Sequence, residues 1–124
     1  MSELLYEGKA KQVFATEDPN VVMVHYKDDA TAQNGLKKGT IVGKGVINNR
    51  MSNAMFQMLE EKGIPTHYVK ELNDRDTLVK HVKIVPLEVI VRNIAAGSLA
   101  ERLGVPAGTK MASTVLEFCY KNDD

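Results

Sequence analysis

The sequence predicts an α+β fold in which a mainly antiparallel sheet is accompanied by one long helix. Short runs of strand-forming residues alternate with turn residues through the first third of the chain, which is typical of hairpins. A single apolar stripe at helical spacing then extends from Ile47 to Leu59. The chain has no G-x-G-x-x-G motif and no regular alternation of strands with helices, which argues against a Rossmann fold.

Composition limits the class of protein. The 124 residues suit one ordinary domain, and 16 Lys and Arg balance 16 Asp and Glu, so the net charge is zero with neutral histidines. With 44% hydrophobic and 26% charged residues, the composition excludes a collagen-like repeat, an acidic tail and a disordered low-complexity segment. The balanced charge also argues against binding to nucleic acid through bulk positive charge.

The cysteine count and the hydropathy predict the compartment. Cys119 is the only cysteine, so it cannot form a disulfide within the chain, and we expect a buried thiol. The N-terminal residues do not resemble a signal peptide, and no apolar run approaches the ~18 residues that span a bilayer. We therefore expect a cytoplasmic protein whose partners include neither membrane nor nucleic acid.

The first part of the chain is predicted to form short strands over residues 4–6, 11–15 and 21–26. Gly8 lies in the turn that joins the first two strands, and Asp18-Pro19-Asn20 has the composition of a second turn. Residues 31–45 are polar and contain four glycines, so they are expected to form a mobile loop.

The later elements are predicted from periodicity and from stop signals. The apolar stripe predicts a helix that ends at Gly63, with Met51, Met55 and Met58 packed in the core. Further strands are predicted over residues 67–70, 77–85 and 87–92. A short helix over residues 98–103 is expected to stop at Gly104.

The turn Gly8-Lys9-Ala10-Lys11 is the first candidate for chemistry. If a strand begins near Lys9, the two lysine side chains share one face, because side chains alternate along a strand. An anion such as phosphate could lie between the two ammonium groups, with the glycine backbone close to it. Taken alone, two solvated lysines on a hairpin are the simpler explanation.

Two further candidates lie near residues 88–101. Glu88 and Arg92 share a strand face about 13 Å apart, so each needs its own partner, either an ion pair to another strand or a ligand. Ser98 and Glu101 have the spacing of a capping box, which we favour over an anion site at the helix N-terminus. The three histidines are scattered and do not have the spacing of zinc ligands.

Several of these motifs together resemble the SAICAR synthetase family. They are Tyr6-Glu7-Gly8-Lys9-Ala10-Lys11, residues 27–32, residues 43–45 followed by Asn48-Asn49, and the long run at residues 85–98. The resemblance extends over nearly the whole chain and implies the kinase-like nucleotide-binding lobe of that family. It also implies an ATP-dependent ligase of purine biosynthesis, which joins L-aspartate to carboxyaminoimidazole ribonucleotide (CAIR) to give SAICAR, ADP and phosphate.

The resemblance also implies roles for individual residues. Gly8, Lys9, Ala10 and Lys11 would hold the ATP phosphates, and the backbone of Val82, Lys83 and Ile84 would bind adenine. Asn34 and Gly35 would lie over the active site, while Arg92 and Ser98 would bind the phosphate or carboxylate of CAIR. Glu88 would either contact a ligand or support Arg92. ATP and Mg²⁺ are the implied cofactors, and a homo-oligomer is the implied assembly.

Members of the family continue beyond the region of resemblance with an Asp-x-Lys-x-Glu-Phe-Gly motif, which this sequence does not contain. The resemblance therefore implies an ATP-binding lobe over residues 1–110 and the start of a second, CAIR- and metal-binding domain over residues 111–124. Metal ligands are then not expected within this sequence, and its catalytic residues stay unassigned. A non-catalytic nucleotide-binding module and an interaction domain without a ligand are the alternative functions.

Overall fold

A computed structural model describes residues 2–32 and 35–121. Its contacts divide the chain into two compact units between Val82 and Lys83. The first unit contains β1 (Leu4–Glu7), β2 (Lys11–Ala15), β3 (Val21–Tyr26), β4 (Asp29–Ala32), β5 (Lys37–Thr40), α1 (Lys44–Glu61), β6 (Tyr68–Glu71) and β7 (Asp76–Lys80). The second contains β8 (Leu87–Ile94), α2 (Gly97–Leu103) and β9 (Lys110–Tyr120). Neither helix is long and apolar enough to cross a membrane.

The first unit is built on a five-stranded antiparallel sheet with the order β1-β2-β3-β7-β6. Along β3 every second residue is buried, and the buried set Val22, Val24 and Tyr26 forms the core with Val79 of β7. Alternating burial is what the strand period of two requires when one sheet face is covered. The predicted α+β class with a mainly antiparallel sheet is confirmed.

The predicted loop over residues 31–45 is wrong for most of its length. β4 and β5 pair in antiparallel register, with Ala32 opposite Lys37, and the helix α1 already begins at Lys44. All four residues of β5 are exposed, so this strand has no buried face to impose an alternation of apolar and polar residues. The strand period is therefore absent from the sequence there.

The helix itself is confirmed, but the prediction that its methionines fill the core is wrong. Met51, Met55 and Met58 are each more than half exposed. The buried positions of α1 are Gly45, Asn49 and Asn53, which recur every four residues on a different face. The apolar stripe marked the helix correctly, yet a polar face packs on the sheet.

Hydrogen bonds explain how that polar face is buried. The Thr77 hydroxyl on β7 donates to the Asn49 side-chain oxygen over 2.6 Å, and it accepts from the Asn53 amide over 2.7 Å. The Asn53 amide also donates to a Glu71 carboxylate oxygen, and the Asn49 amide donates to the Asn73 carbonyl. Buried polar groups cost little only when they are paired in this way.

Asp28 fixes the start of α1. Its carboxylate accepts hydrogen bonds from the backbone N–H groups of Gly43 and Gly45 and two more from the Arg75 guanidinium, at 2.7 and 3.0 Å. A carboxylate at a helix N-terminus is favourable because the first N–H groups have no partner within the helix. Gly45 lies so close that a Cβ there would be 2.4 Å from the Tyr26 carbonyl oxygen.

In the second unit, β8 and β9 form an antiparallel pair, and α2 buries Leu99 and Ala100. The pairing sets side chains from both strands on a shared apolar face, and each of them is exposed. They are Leu87, Val89, Val91, Leu116, Phe118 and Tyr120. A homo-oligomer stays a prediction, as does a domain boundary at residue 110. The sequence analysis did not predict β9, which pairs with β8 along most of its length.

The predicted capping box is wrong. Helix α2 begins at Gly97 with Ala96 as its N-cap residue, no side chain caps it, and Ser98 lies inside the first turn. Gly104 ends the helix in the left-handed conformation, with φ at 68°, as its position predicted. The predicted buried thiol is only partly correct, because Cys119 is half-buried.

We expect Gly45→Ala to lower the free energy of unfolding by about 1–3 kcal/mol, the usual cost of forcing an extra methyl group into a packed site. Urea denaturation measures the change. Gly39→Ala is the matched control, because no atom lies within 4 Å of a Cβ built at that glycine. Equal stability of the two variants would contradict the close contact between α1 and the end of β3.

Asp28→Asn tests the same junction through pH. The Arg75 guanidinium and the Gly45 N–H lower the pKa of Asp28 below its ordinary value of 3.8. Its stabilising contribution is therefore present above pH 3.8 and is lost as the pH falls further, because the unfolded chain takes up the proton first. We expect the difference in unfolding free energy between wild type and Asp28→Asn to be constant near neutrality and to shrink below that pH.

Glu61→Gln is the control for this measurement, since Glu61 has no ion-pair partner within residues 2–32 and 35–121. Its stability difference from wild type is expected to change little over the same pH range. A difference for Asp28→Asn that stays flat down to the acid-unfolding transition would show that the carboxylate is not stabilised by its partners.

Candidate functional site

The Gly8 turn is held by backbone hydrogen bonds at both ends. The Gly8 N–H donates to the Lys11 carbonyl over 2.8 Å, and the Lys27 N–H donates to the Ala10 carbonyl over 2.8 Å. Above the turn, the Tyr6 hydroxyl oxygen would lie 3.0 Å from a Cβ at Gly8. Glycine therefore lets the Tyr6 ring approach the backbone closely, and the turn has a fixed shape.

An open concavity of about 420 Å³ lies beside this turn. Its lining comes from the turn, from the start of β4 and from the β4–β5 hairpin. The residues are Glu7, Gly8, Lys9, Lys27, Asp29, Thr31, Gly35 and Lys38. Three lysines and two carboxylates thus face one small space, which is large enough for a phosphate chain and too shallow to enclose a whole ligand.

The three lysines of the concavity differ in how they are engaged. Lys27 forms ion pairs with Glu7 at 3.0 Å and with Asp29 at 3.1 Å. Within residues 2–32 and 35–121, neither the Lys9 ammonium nor the Lys38 ammonium has a hydrogen bond or an ion pair. Those two ammonium groups are available to an anion, whereas the Lys27 ammonium is already neutralised.

The premise that Lys9 and Lys11 share a strand face is wrong, because β2 begins at Lys11 and Lys9 lies in the turn before it. The Lys11 ammonium lies 5.8 Å from the centre of the Tyr26 ring, in a cation–π arrangement. Lys11 does not line the concavity that contains Lys9. Gly35 does line it, whereas Asn34 falls outside the described residues.

The segment Val82-Lys83-Ile84 belongs to no helix or strand. β7 ends at Lys80 rather than at residue 85, so this part of the predicted strand is wrong. The boundary between the two compact units falls inside the segment, and Ile84 is 81% exposed. The backbone groups of residues 82–84 are therefore not committed to a helix or to a strand ladder.

Arg92 forms an ion pair with a residue of the neighbouring strand. Its Nε lies 3.4 Å from a carboxylate oxygen of Glu117 on β9, and its Nη1 donates to the Ala96 carbonyl over 2.9 Å. Arg102 also pairs with Glu117. The Arg102 guanidinium, with Arg92 beside it, lowers the pKa of Glu117. Glu117 was not predicted as a partner because β9, the strand that carries it, was itself not predicted.

The other two candidates in this unit are exposed. Glu88 lies opposite Cys119 in the β8–β9 register, and no ion pair engages it among the described residues. Ser98 lies in the first turn of α2, two residues after the Ala96 carbonyl that Arg92 contacts. Arg92 and Ser98 are thus brought to one end of α2, whereas Glu88 is four residues before Arg92 along β8.

Comparison with known proteins identifies the family. The family model of SAICAR synthetase matches residues 4–124. The chain belongs to the SAICAR synthetase family. A phosphoribosylaminoimidazole-succinocarboxamide synthase from Fusobacterium nucleatum is 62% identical over 98% of this chain and 52% of its own length.

Solved structures of SAICAR synthetases are similar to this chain in fold and in sequence. The corresponding synthase from Ehrlichia chaffeensis is 46% identical with a TM-score of 0.93, over 98% of this chain and 51% of its own. A SAICAR synthetase solved in complex with ADP is 42% identical with a TM-score of 0.90, over the same shares of each chain. The chain thus spans about half the length of the relatives that it matches.

The described residues contain no group of three or more His, Cys, Asp or Glu side chains that could hold a metal ion. The two carboxylates of the concavity, Glu7 and Asp29, are both paired with Lys27. Mg²⁺ is usually held by one or two carboxylates together with substrate phosphates and water. A bound phosphate chain would therefore be part of any magnesium site at this concavity.

Proposed function

We propose that the chain is the nucleotide-binding part of an ATP-dependent ligase that joins L-aspartate to CAIR in purine biosynthesis. The observation that carries the proposal is the Gly8 turn, with the unpaired ammonium groups of Lys9 and Lys38 beside it within the described part of the chain. Membership of the SAICAR synthetase family and an ADP-bound relative support it. The chain has a single cysteine and so cannot form an internal disulfide, and we propose that the enzyme works in the cytoplasm.

The proposed reaction has two steps. The γ-phosphoryl group of ATP passes to a carboxylate oxygen of CAIR, which gives an acyl phosphate and ADP. The amine of L-aspartate then attacks the acyl carbon, loses a proton and expels phosphate, so that an amide bond replaces the acyl phosphate. Both steps depend on positioning and on neutralising phosphate charge, which are tasks for lysine and arginine side chains.

The first unit is proposed to bind the nucleotide. Gly8, Lys9, Ala10 and Lys11 would hold the phosphates, in keeping with the fixed turn and the free Lys9 ammonium. Asn34 and Gly35 would lie over the site, and Gly35 already lines the concavity. The backbone of Val82, Lys83 and Ile84 would bind adenine. No step of the proposal depends on a metal site within these residues.

Arg92 and Ser98 are proposed to bind the phosphate or carboxylate of CAIR. Glu117 would hold the Arg92 guanidinium in place through its 3.4 Å ion pair. Because Glu117 is also paired with Arg102, the three charged groups leave one net positive charge, which suits an anionic substrate. Glu88 is given no role in binding.

Binding of ADP to the chain tests the proposal. We expect Lys9→Ala to weaken ADP binding about tenfold, because one charge-assisted contact to phosphate contributes on the order of 1.5 kcal/mol or more. Lys11→Ala is expected to act in the same direction. Isothermal titration calorimetry measures both, and Lys70→Ala, which removes an exposed lysine from β6, is the control.

Two outcomes would contradict nucleotide binding at the Gly8 turn. If the wild-type chain does not bind ADP, an interaction domain without a ligand is the better description. If ADP binds with equal strength to wild type and to both turn variants, the nucleotide site lies elsewhere in the chain. Loss of binding in Lys70→Ala as well would indicate a general effect of positive charge.

Turnover tests the catalytic half of the proposal. We expect the pure 124-residue chain to make SAICAR from ATP, CAIR and L-aspartate very slowly or not at all, because it spans about half the length of its relatives. Product formation can be followed by liquid chromatography. Turnover at an ordinary enzymatic rate would contradict this expectation.

A further inference from the structure

Lys27 follows β3 and reaches back to the Gly8 turn with its side chain. Its ammonium lies 3.0 Å from Glu7 Oε2, 3.1 Å from Asp29 Oδ2 and 3.4 Å from the Gly8 carbonyl oxygen. The side chain is only 18% exposed, whereas Glu7 and Asp29 are 43% and 55% exposed. Lys27 is thus the inner member of this small charge cluster.

An ammonium group has three N–H donors and no acceptor. The three oxygens around Lys27 match that number, so its donors are all engaged. Lys9 and Lys38 line the same concavity, and neither ammonium group has a hydrogen bond or an ion pair in the described ranges 2–32 and 35–121. The concavity therefore contains two lysines that are free to bind an anion and a third, Lys27, whose ammonium group is bonded to residues that line the concavity.

Lys27 contacts the Gly8 turn at both of its ends. Its backbone N–H donates to the Ala10 carbonyl over 2.8 Å, and its side chain meets Glu7 and the Gly8 carbonyl on the other side. Asp29, the third partner, begins β4, which carries the hairpin on the far side of the concavity. Lys27 thus connects both ends of the Gly8 turn to the start of β4.

We propose that Lys27 is a positioning residue, which sets the shape of the Gly8 turn for a nucleotide phosphate chain without touching that chain. The proposal rests on the proposed function of the turn. The competing role for Lys27 is a direct phosphate ligand that Glu7 and Asp29 restrain until an anion displaces them. The two roles predict changes of opposite sign when Glu7 loses its charge.

The experiment compares ADP and adenosine binding to wild type, Lys27→Met and Glu7→Gln by calorimetric titration. We expect Lys27→Met to weaken ADP binding about fivefold, the size of effect that ordinary ion pairs of this exposure support, and to leave adenosine binding unchanged. Glu7→Gln is expected to weaken ADP binding too, because it loosens the turn. As a direct ligand, Lys27 would instead be released by Glu7→Gln, and ADP would bind more tightly.

Amide hydrogen exchange gives a readout that needs no nucleotide. We expect the Gly8 amide, which donates to the Lys11 carbonyl, to exchange faster in Lys27→Met than in wild type. Lys27→Arg, which keeps the charge and the donors, is expected to restore most of the protection and most of the ADP affinity. Lys70→Met is the control for removal of a lysine from the same unit.

Each result decides between the roles. Unchanged ADP affinity and unchanged Gly8 exchange in Lys27→Met would overturn the proposal, as would tighter ADP binding by Glu7→Gln. Failure of the wild-type chain to bind ADP overturns the proposed function, and this inference with it, before any variant is compared. An equal loss of ADP and adenosine binding in Lys27→Met would point to general unfolding and would also count against a role at the turn.

Discussion

The Asp28 carboxylate is the junction on which the first unit depends. It accepts hydrogen bonds from two backbone N–H groups at the start of α1 and from both terminal nitrogens of the Arg75 guanidinium. The helix, the end of β3 and the β6–β7 connection therefore meet at one carboxylate. Its neighbours in sequence, Lys27 and Asp29, belong to the cluster around the Gly8 turn. A structural charge and residues of the candidate site therefore lie on one short segment of the chain.

The cations of the first unit divide into paired and unpaired groups. Lys27 and Arg75 are each paired with carboxylates, whereas Lys9 and Lys38 have no such partner in the described residues. The zero net charge of the chain conceals this division. Paired groups fix backbone geometry, and unpaired ones of the same sign remain for an anionic ligand.

Helices and strands were predicted correctly where their sequences carry a clear pattern of apolar or turn residues. The hairpin around Gly8 and strand β3 were predictable because turn residues and a run of strand-forming residues are visible in the sequence. The pair β4–β5 was not, since β5 is exposed on both faces. The Gly8 turn and Arg92 became site candidates through motifs, and Lys27 lies within another of those motifs without a predicted contact. Lys27 pairs with Glu7 and Glu117 pairs with Arg92, and the spacing of residues along the sequence does not indicate these contacts.

The amide-lined face of α1 has a consequence for how the helix can move. Apolar contacts are non-directional, so a helix that rests on leucines can slide or rotate by a few degrees with little loss. The hydrogen bonds of Asn49 and Asn53 to Thr77 are short and directional, and a slide of one residue would break them together. Helix α1 thus has a single register on the sheet.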